Sequence, residues 1–214
     1  MSKKNRSRLK GDTRHHQQRI QVAQTAARLM HEHGIIDYLA AKHKACAQLG
    51  LCREGAHMPS NVEINLALES HMRLFAPEER MLCAEQLLEI AAGLMQQCRE
   101  FNPRLTGAIL TAHVHKHSSI EIHVFSDTPE HVMIFLMEQH IPFTSGEKRL
   151  RTRRDHYESR PCLCFFVNKN PVELTVFSKQ DIKHAPLSPI DGKPVRRVNL
   201  ATIHQLLNNL ERAS

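Results

Sequence analysis

Tryptophan is absent from this 214-residue chain and aromatic residues make up only 5% of it, so aliphatic side chains must build most of any core. No apolar run approaches the roughly 20 residues that a membrane-spanning helix needs. The N-terminus is basic, but no apolar signal-peptide segment follows it, and the expected compartment is the cytoplasm. Six cysteines are present: Cys46, Cys52, Cys83, Cys98, Cys162 and Cys164. None forms a Cys-x-x-Cys pair, and they are expected to be reduced and mostly buried. Cys162 and Cys164 share a strand face, which leaves a soft-metal role open. Phosphate-loop, dinucleotide-binding and nucleophile-elbow glycine patterns are all missing. Ser118 and Ser119 lack the glycine context of an acyl-transfer nucleophile.

Charge is present in quantity and unevenly placed. Residues 1–19 hold Lys3, Lys4, Arg6, Arg8, Lys10, Arg14 and Arg19 against Asp12 alone, which puts +6 of the net +7 there. A basic tail on a nearly neutral body suits RNA, DNA or another polyanion; it equally suits a solvated, disordered tail. A second basic cluster, Lys148, Arg149, Arg151, Arg153 and Arg154, lies between folded elements. It could contact phosphates through Arg151 and Arg153, or protect an exposed strand edge. Lys193, Arg196 and Arg197 form a similar set on a late loop.

The hydrophobic pattern divides the chain. Residues 1–13 are expected to form a disordered basic tail. Residues 14–100 read as four helices. The first carries Ile20, Ala23, Ala27 and Met30 at helical spacing and stops at Gly34. Asp37 caps a second, which runs to Leu49. Ser60 and Glu63 form a capping box ahead of Ile64, Leu66, Leu68 and Met72. Pro77 opens a fourth, with Leu82, Leu87, Ile90, Leu94 and Met95 inward.

After Phe101-Asn102-Pro103 the period changes. Residues 101–214 are expected to form an α/β domain in the order β-β-α-β-β-β-α. Strands are predicted at Arg104–Val114, Ile120–Phe125, Pro142–Arg153, Cys162–Val167 and Val172–Phe177. Asp127 and Glu130 suggest a capping box for a helix over 128–140, and Asn199 caps a last helix over 200–212. Asn168-Lys169-Asn170-Pro171 suits a hairpin. The fold class is therefore α+β: a helical N-terminal region, then a mixed sheet of about five strands with flanking helices.

The chemistry concentrates on two of these strands. Ser119, Glu121 and His123 share one face of the first, and Glu173 lies on the second. Glu121 and Glu173 each sit between apolar neighbours. If their strands are adjacent, the two carboxylates could hold a divalent cation and activate an oxygen nucleophile. The same alternation also describes a solvated strand face. A different set is histidine-rich: His113, His115 and His117 alternate, and His123 pairs with Glu121. Three imidazoles and a carboxylate would suit Zn²⁺, Ni²⁺ or Fe²⁺, and a His–Glu pair suits a general base.

Residues 105–177 resemble the nucleotidyltransferase domain of the DNA polymerase β superfamily. That family carries a Gly-Ser near a first strand, an Asp-x-Asp on the second and a third acid on a later strand. Gly107 and the Thr111-Ala112 turn stand where the first element falls, Ser119-Ile120-Glu121 where the Asp-x-Asp falls, and Glu173 where the third acid falls. With Leu187-Ser188-Pro189, Gly192-Lys193-Pro194 and Arg196-Arg197, most of residues 15–212 resemble bacterial nucleotidyltransferase-like proteins. The resemblance implies Mg²⁺-dependent transfer of a nucleoside monophosphate from a nucleoside triphosphate to a hydroxyl. Glu121 and Glu173 would hold the metal, His123 or Ser119 would assist, and Gly107, Ser119, Arg151 and Arg153 would contact the nucleotide. The departures are specific. Serine replaces the first acid, Glu121 is one methylene longer than aspartate, and Gly107 is followed by Ala108. An inactive module of the same fold that binds nucleic acid is the alternative implied by those losses, and a histidine-based transition-metal protein is a third.

Overall fold

The computed structural model of the chain describes residues 3–35, 37–74, 77–110, 114, 118–153 and 155–212. These fall into two compact units, Met1–Ala76 and Pro77–Ser214. The division is not at residue 100, where the sequence pattern put it. The fourth helix goes with the sheet because its apolar stripe forms part of the sheet's core.

The first unit contains α1 (Lys3–His33), α2 (Tyr38–Gln48) and α3 (Asn61–Leu74). Its core is built from Val22, Ala26, Leu29 and Met30 of α1, Ala41 and Ala45 of α2, and Ile64, Leu68 and Met72 of α3. Alanines at the contacts let helix axes approach closely. Ile20 and Leu66, on the same helices, are exposed. Helix α1 begins at Lys3, so the backbone expected to be disordered through residue 13 is helical. Lysine, arginine and leucine have high helix propensity, and an established helix extends into such residues at little cost. The predicted caps form. Asp37 Oδ1 accepts from Ala40 N at 2.6 Å. Ser60 N donates to Glu63 Oε2 at 2.8 Å, and Glu63 N donates to Ser60 Oγ at 3.2 Å, completing the capping box.

The second unit contains α4 (Pro77–Gln97), β1 (Arg104–Thr106), β2 (Ile120–Phe125), α5 (Pro129–Glu138), β3 (Thr144–Arg153), β4 (His156–Val167), β5 (Asn170–Phe177) and α6 (Leu200–Glu211). The five strands form one sheet in the order β1-β2-β5-β4-β3. Only the β2–β5 pair is parallel; the other neighbours are antiparallel. The sheet is therefore mixed and flanked by helices, as the pattern predicted.

Three expectations fail locally. The strand predicted over 104–114 stops at Thr106, because Gly107 turns the backbone at φ +84° into a short 3₁₀ segment, Ala108–Leu110. Asp127 and Glu130 do not form a capping box. Thr128 is the N-cap and Pro129 occupies the first helical position, so Asp127 lies outside the helix, where its Oδ1 accepts from Lys179 N at 3.2 Å. Leu82, expected inside α4, is exposed. The predicted hairpin turn does form: Asn168 and Lys169 take φ values of 49° and 68°, as a two-residue type I′ turn requires.

Strand alternation gives the sheet two unlike faces. Leu105, Ile120, Ile122, Val124, Leu163, Phe165, Val172, Leu174 and Val176 point to one face and are buried. They form one core with Leu87, Leu94 and Met95 of α4, Val132 and Leu136 of α5 and Ile203 of α6. The opposite face carries the polar residues. Register places Thr106, Glu121, Glu173, Cys164 and Thr144 in one row across all strands, with Arg104, His123, Thr175, Cys162 and Gly146 in the next. No helix among the described residues is long and apolar enough to cross a membrane.

Asn199 Oδ1 accepts from Thr202 N at 2.9 Å at the start of α6. Replacing Asn199 by alanine should lower stability to chemical denaturation by about 1 kcal/mol. Replacing Leu174, fully buried at the sheet centre, by alanine should cost about 2–5 kcal/mol. Equal effects would contradict this division between cap and core.

Candidate functional site

Glu121 and Glu173 face each other in register on the one parallel strand pair of the sheet. The pairing predicted from two separated segments is thus present. Its counter-ion was not predicted. Lys148, from β3, places its Nζ 2.9 Å from Glu121 Oε2 and in direct contact with Glu173 Oε1. Both carboxylates lie on a single nitrogen, so the two bonded oxygens are within about 6 Å of each other. That separation would let a cation bridge them. The cation that does so is an ammonium.

Lys148 is there because of phase. Along β3, Lys148 and Leu150 alternate with Arg149 and Arg151. The register partner Arg160 lies in the same face-row series as Cys162 and Cys164, so Lys148 shares the polar face with the two glutamates. Burial disfavours its charge, but the two carboxylates outweigh burial and push the Lys148 ammonium well above the usual lysine range. The side chains of Lys148, Glu121 and Glu173 are 29, 28 and 24% exposed, so solvent weakens this triad without uncoupling it.

Gly107 stands against Glu121. A Cβ added there would lie 2.5 Å from Glu121 Oε1, so any other residue would push the carboxylate aside. The glycine singled out in the sequence therefore shapes this site, by making room for the acid. Thr106, the register partner of Glu121, is buried, and its Oγ1 has no hydrogen-bond partner among the described residues. Ser119 is half-buried, one residue before β2.

His123 lies in the adjacent row, but its Nδ1 accepts a hydrogen bond from Arg197 Nε at 2.9 Å. Arginine only donates, so the imidazole is neutral with its proton on Nε2. Burial first, then the charges of Arg197 and Lys148, lower its pKa to about 3. This arrangement removes His123 as a general base near neutral pH. Arg197 is held over the rings of Phe177 and Phe125, at 4.6 and 5.1 Å, and donates through Nη1 to the carbonyls of Asp181 and His184. Its position follows from the next residue: Val198 and Leu105 exchange backbone hydrogen bonds of 2.9 Å in each direction, which docks the late loop on β1.

Arg151 and Arg153 do not join the acid pair. Arg149 and Arg151 leave β3 by the face opposite Lys148, and the register shifts between Arg151 and Arg153, which is exposed. The guanidinium of Arg149 stacks 4.7 Å over the half-exposed Tyr157 ring. Of the histidine set, His113, His115 and His117 lie outside the described residues, as does the Thr111-Ala112 turn. All six cysteines are free: Cys46, Cys98 and Cys162 are buried, Cys83 is half-buried, and Cys52 and Cys164 are exposed.

Lys148 and Arg197 are the two residues whose roles sequence reasoning missed. Each was placed in a generic basic cluster. The available signal was alternation, which puts Lys148 out of phase with its arginine neighbours and Arg197 out of phase with the buried Val198. Comparison with protein-family profiles, with curated proteins and with solved structures finds no match to this chain.

The donor set as it stands does not fit Mg²⁺. That ion needs a near-octahedral shell of oxygens. Here only two carboxylates converge, and a lysine engages both.

Lys148→Met should destabilise the protein by about 1–3 kcal/mol, between the values for exposed and buried ion pairs. Most of that loss should return in a Lys148→Met/Glu173→Gln double variant, measured as a double-mutant cycle; an additive cycle would contradict the contact. His123 should show no titration by NMR between pH 5 and 8. Its folded pKa of about 3 lies below the ordinary 6.5. The unfolded chain therefore binds the extra proton first, and this residue's contribution makes stability fall as pH drops from about 6.5 towards 3. A His123→Asn variant should lose that component of the pH dependence.

Proposed function

We propose that this chain is a nucleotidyltransferase-like module that has replaced the metal of its acidic pair with its own lysine and that binds nucleic acid instead of transferring nucleotides. The observation that carries this reading is Lys148 Nζ lying on both Glu121 and Glu173. An ancestral acid pair would need a cation there, and a tethered ammonium supplies the charge while blocking the ligand oxygens. The serine at position 119 points the same way.

The nucleic-acid half of the reading is supported by basic residues away from the pair. Arg149 and Arg151 project from an edge strand on the face away from Lys148, and the Arg149–Tyr157 stack offers a planar, cationic surface. Guanidinium groups match phosphates in pairs, and exposed aromatics stack on bases. In the other unit, the first turns of α1 carry most of the chain's net charge. Each unit thus includes a basic segment of its own.

A second reading keeps the chemistry. The in-register acids and the glycine packed against Glu121 are the remains of a metal platform. In that case catalysis requires Lys148 to withdraw.

Fluorescence anisotropy with labelled single- and double-stranded oligonucleotides separates the readings. Binding should weaken steeply with salt, and Arg149→Glu/Arg151→Glu should lower the salt slope by about 2. Glu121→Gln should bind as the parent does. Salt-insensitive binding, or none, would overturn the nucleic-acid reading. Mg²⁺-dependent transfer of a nucleoside monophosphate that Glu121→Gln abolishes would replace it with the second.

A further inference from the structure

Beside the ion triad, and sharing Glu173 with it, one cluster on the polar face is not used by the functional reading. Cys162 and Cys164 are two residues apart on β4, so their thiols point the same way, and Cys164 is the register partner of Glu173. The two sulfurs are 3.8 Å apart. One ligand atom from each of Cys162, Cys164 and Glu173 falls within 4.8 Å of the others.

We propose that Cys162 Sγ, Cys164 Sγ and a Glu173 carboxylate oxygen form a binding site for a thiophilic divalent cation of the zinc class, independent of the acid pair's own history. The sulfur spacing is the first argument. Two thiolates bound at about 2.3 Å to a tetrahedral zinc lie about 3.8 Å apart. The thiols therefore stand at ligand separation without rearrangement. The backbone is the second. Both cysteines sit inside a paired strand, and Glu173 sits on the neighbouring strand, so three ligands come from rigid elements. Exposure is the third. Cys162 is buried and Cys164 is exposed, which gives the ion an entry side and leaves its fourth position to water.

Lys148 occupies only one of the two Glu173 carboxylate oxygens. It engages Glu173 through Oε1, and a carboxylate has a second oxygen with its own lone pairs. The ion would share Glu173 with the ammonium. Charge balances as well. The divalent cation enters and two thiol protons leave to solvent, so the net charge of the face is unchanged. A hard cation gains nothing here, because two of the three donors are sulfur.

The test uses the reduced, untagged full-length protein and Co²⁺ as the probe, read by its thiolate-to-metal charge-transfer absorption, with Zn²⁺ as the competitor. One equivalent of Co²⁺ should produce the band and Zn²⁺ should abolish it. Cys164→Ser, at an exposed position that leaves the strand intact, should weaken binding by more than the roughly 100-fold that a lost outer-shell contact costs. Glu173→Gln should weaken it while keeping the sulfur band. Cys52→Ser, in the other unit, should behave as the parent protein. No charge-transfer band in the parent, or an undiminished band in both Cys162→Ser and Cys164→Ser, would overturn the proposal. Neither result bears on whether nucleic acid binds.

Discussion

The polar face of the sheet is organised around one ammonium. Two carboxylates brought into register by parallel strands repel each other, and leaving them partly buried without a cation would be unfavourable. Lys148 resolves this from the edge strand, with contacts to Glu121 and Glu173. The constraint spreads outward. Gly107 must lack a side chain so that Glu121 can sit where the ammonium reaches it. The β3–β4 hairpin must keep its register so that Lys148 emerges on the polar face. Its positive charge in turn helps keep His123 neutral.

The division of labour between the two faces explains why such a group of charges is tolerated. The opposite face buries aliphatic residues of β1, β2, β4 and β5 against α4, α5 and α6, which supplies the hydrophobic stabilisation of this unit. The polar face is then free to carry residues chosen for other reasons. It holds the lysine–glutamate triad, the His123–Arg197 pair packed over Phe177, and the Cys162–Cys164 dithiol. Glu121, Glu173 and Cys164 lie in one register row and His123 and Cys162 in the next, so a slip in that pairing would disturb all three groups together.

Much of this was legible in the sequence, for identifiable reasons. Helix caps at Asp37, Ser60 and Asn199 depend on one side chain and a fixed offset, and they form as read. The limits of β2 and the turn at Asn168-Lys169 were equally local. The adjacency of Glu121 and Glu173 required a long-range pairing, yet their matched apolar settings hinted at it. What the sequence hid was the choice of partner. Lys148 sits in a run of basic residues whose charges look alike, and only strand phase separates it from Arg149 and Arg151. Arg197 was hidden in the same way, because its position depends on the Leu105–Val198 hydrogen bonds. Asp127 misled because proline at the next helical position moved the helix start beyond it.

The central claim is that an internal lysine holds the acid pair against divalent metal. Mn²⁺, which prefers the same oxygen ligands as Mg²⁺, tests it through paramagnetic broadening of NMR signals from the β2 and β5 backbone. The account predicts no selective broadening around Glu121 and Glu173 in the parent protein, and its appearance in Lys148→Met. Selective broadening at those residues in the parent protein, lost in Glu121→Gln, would contradict it.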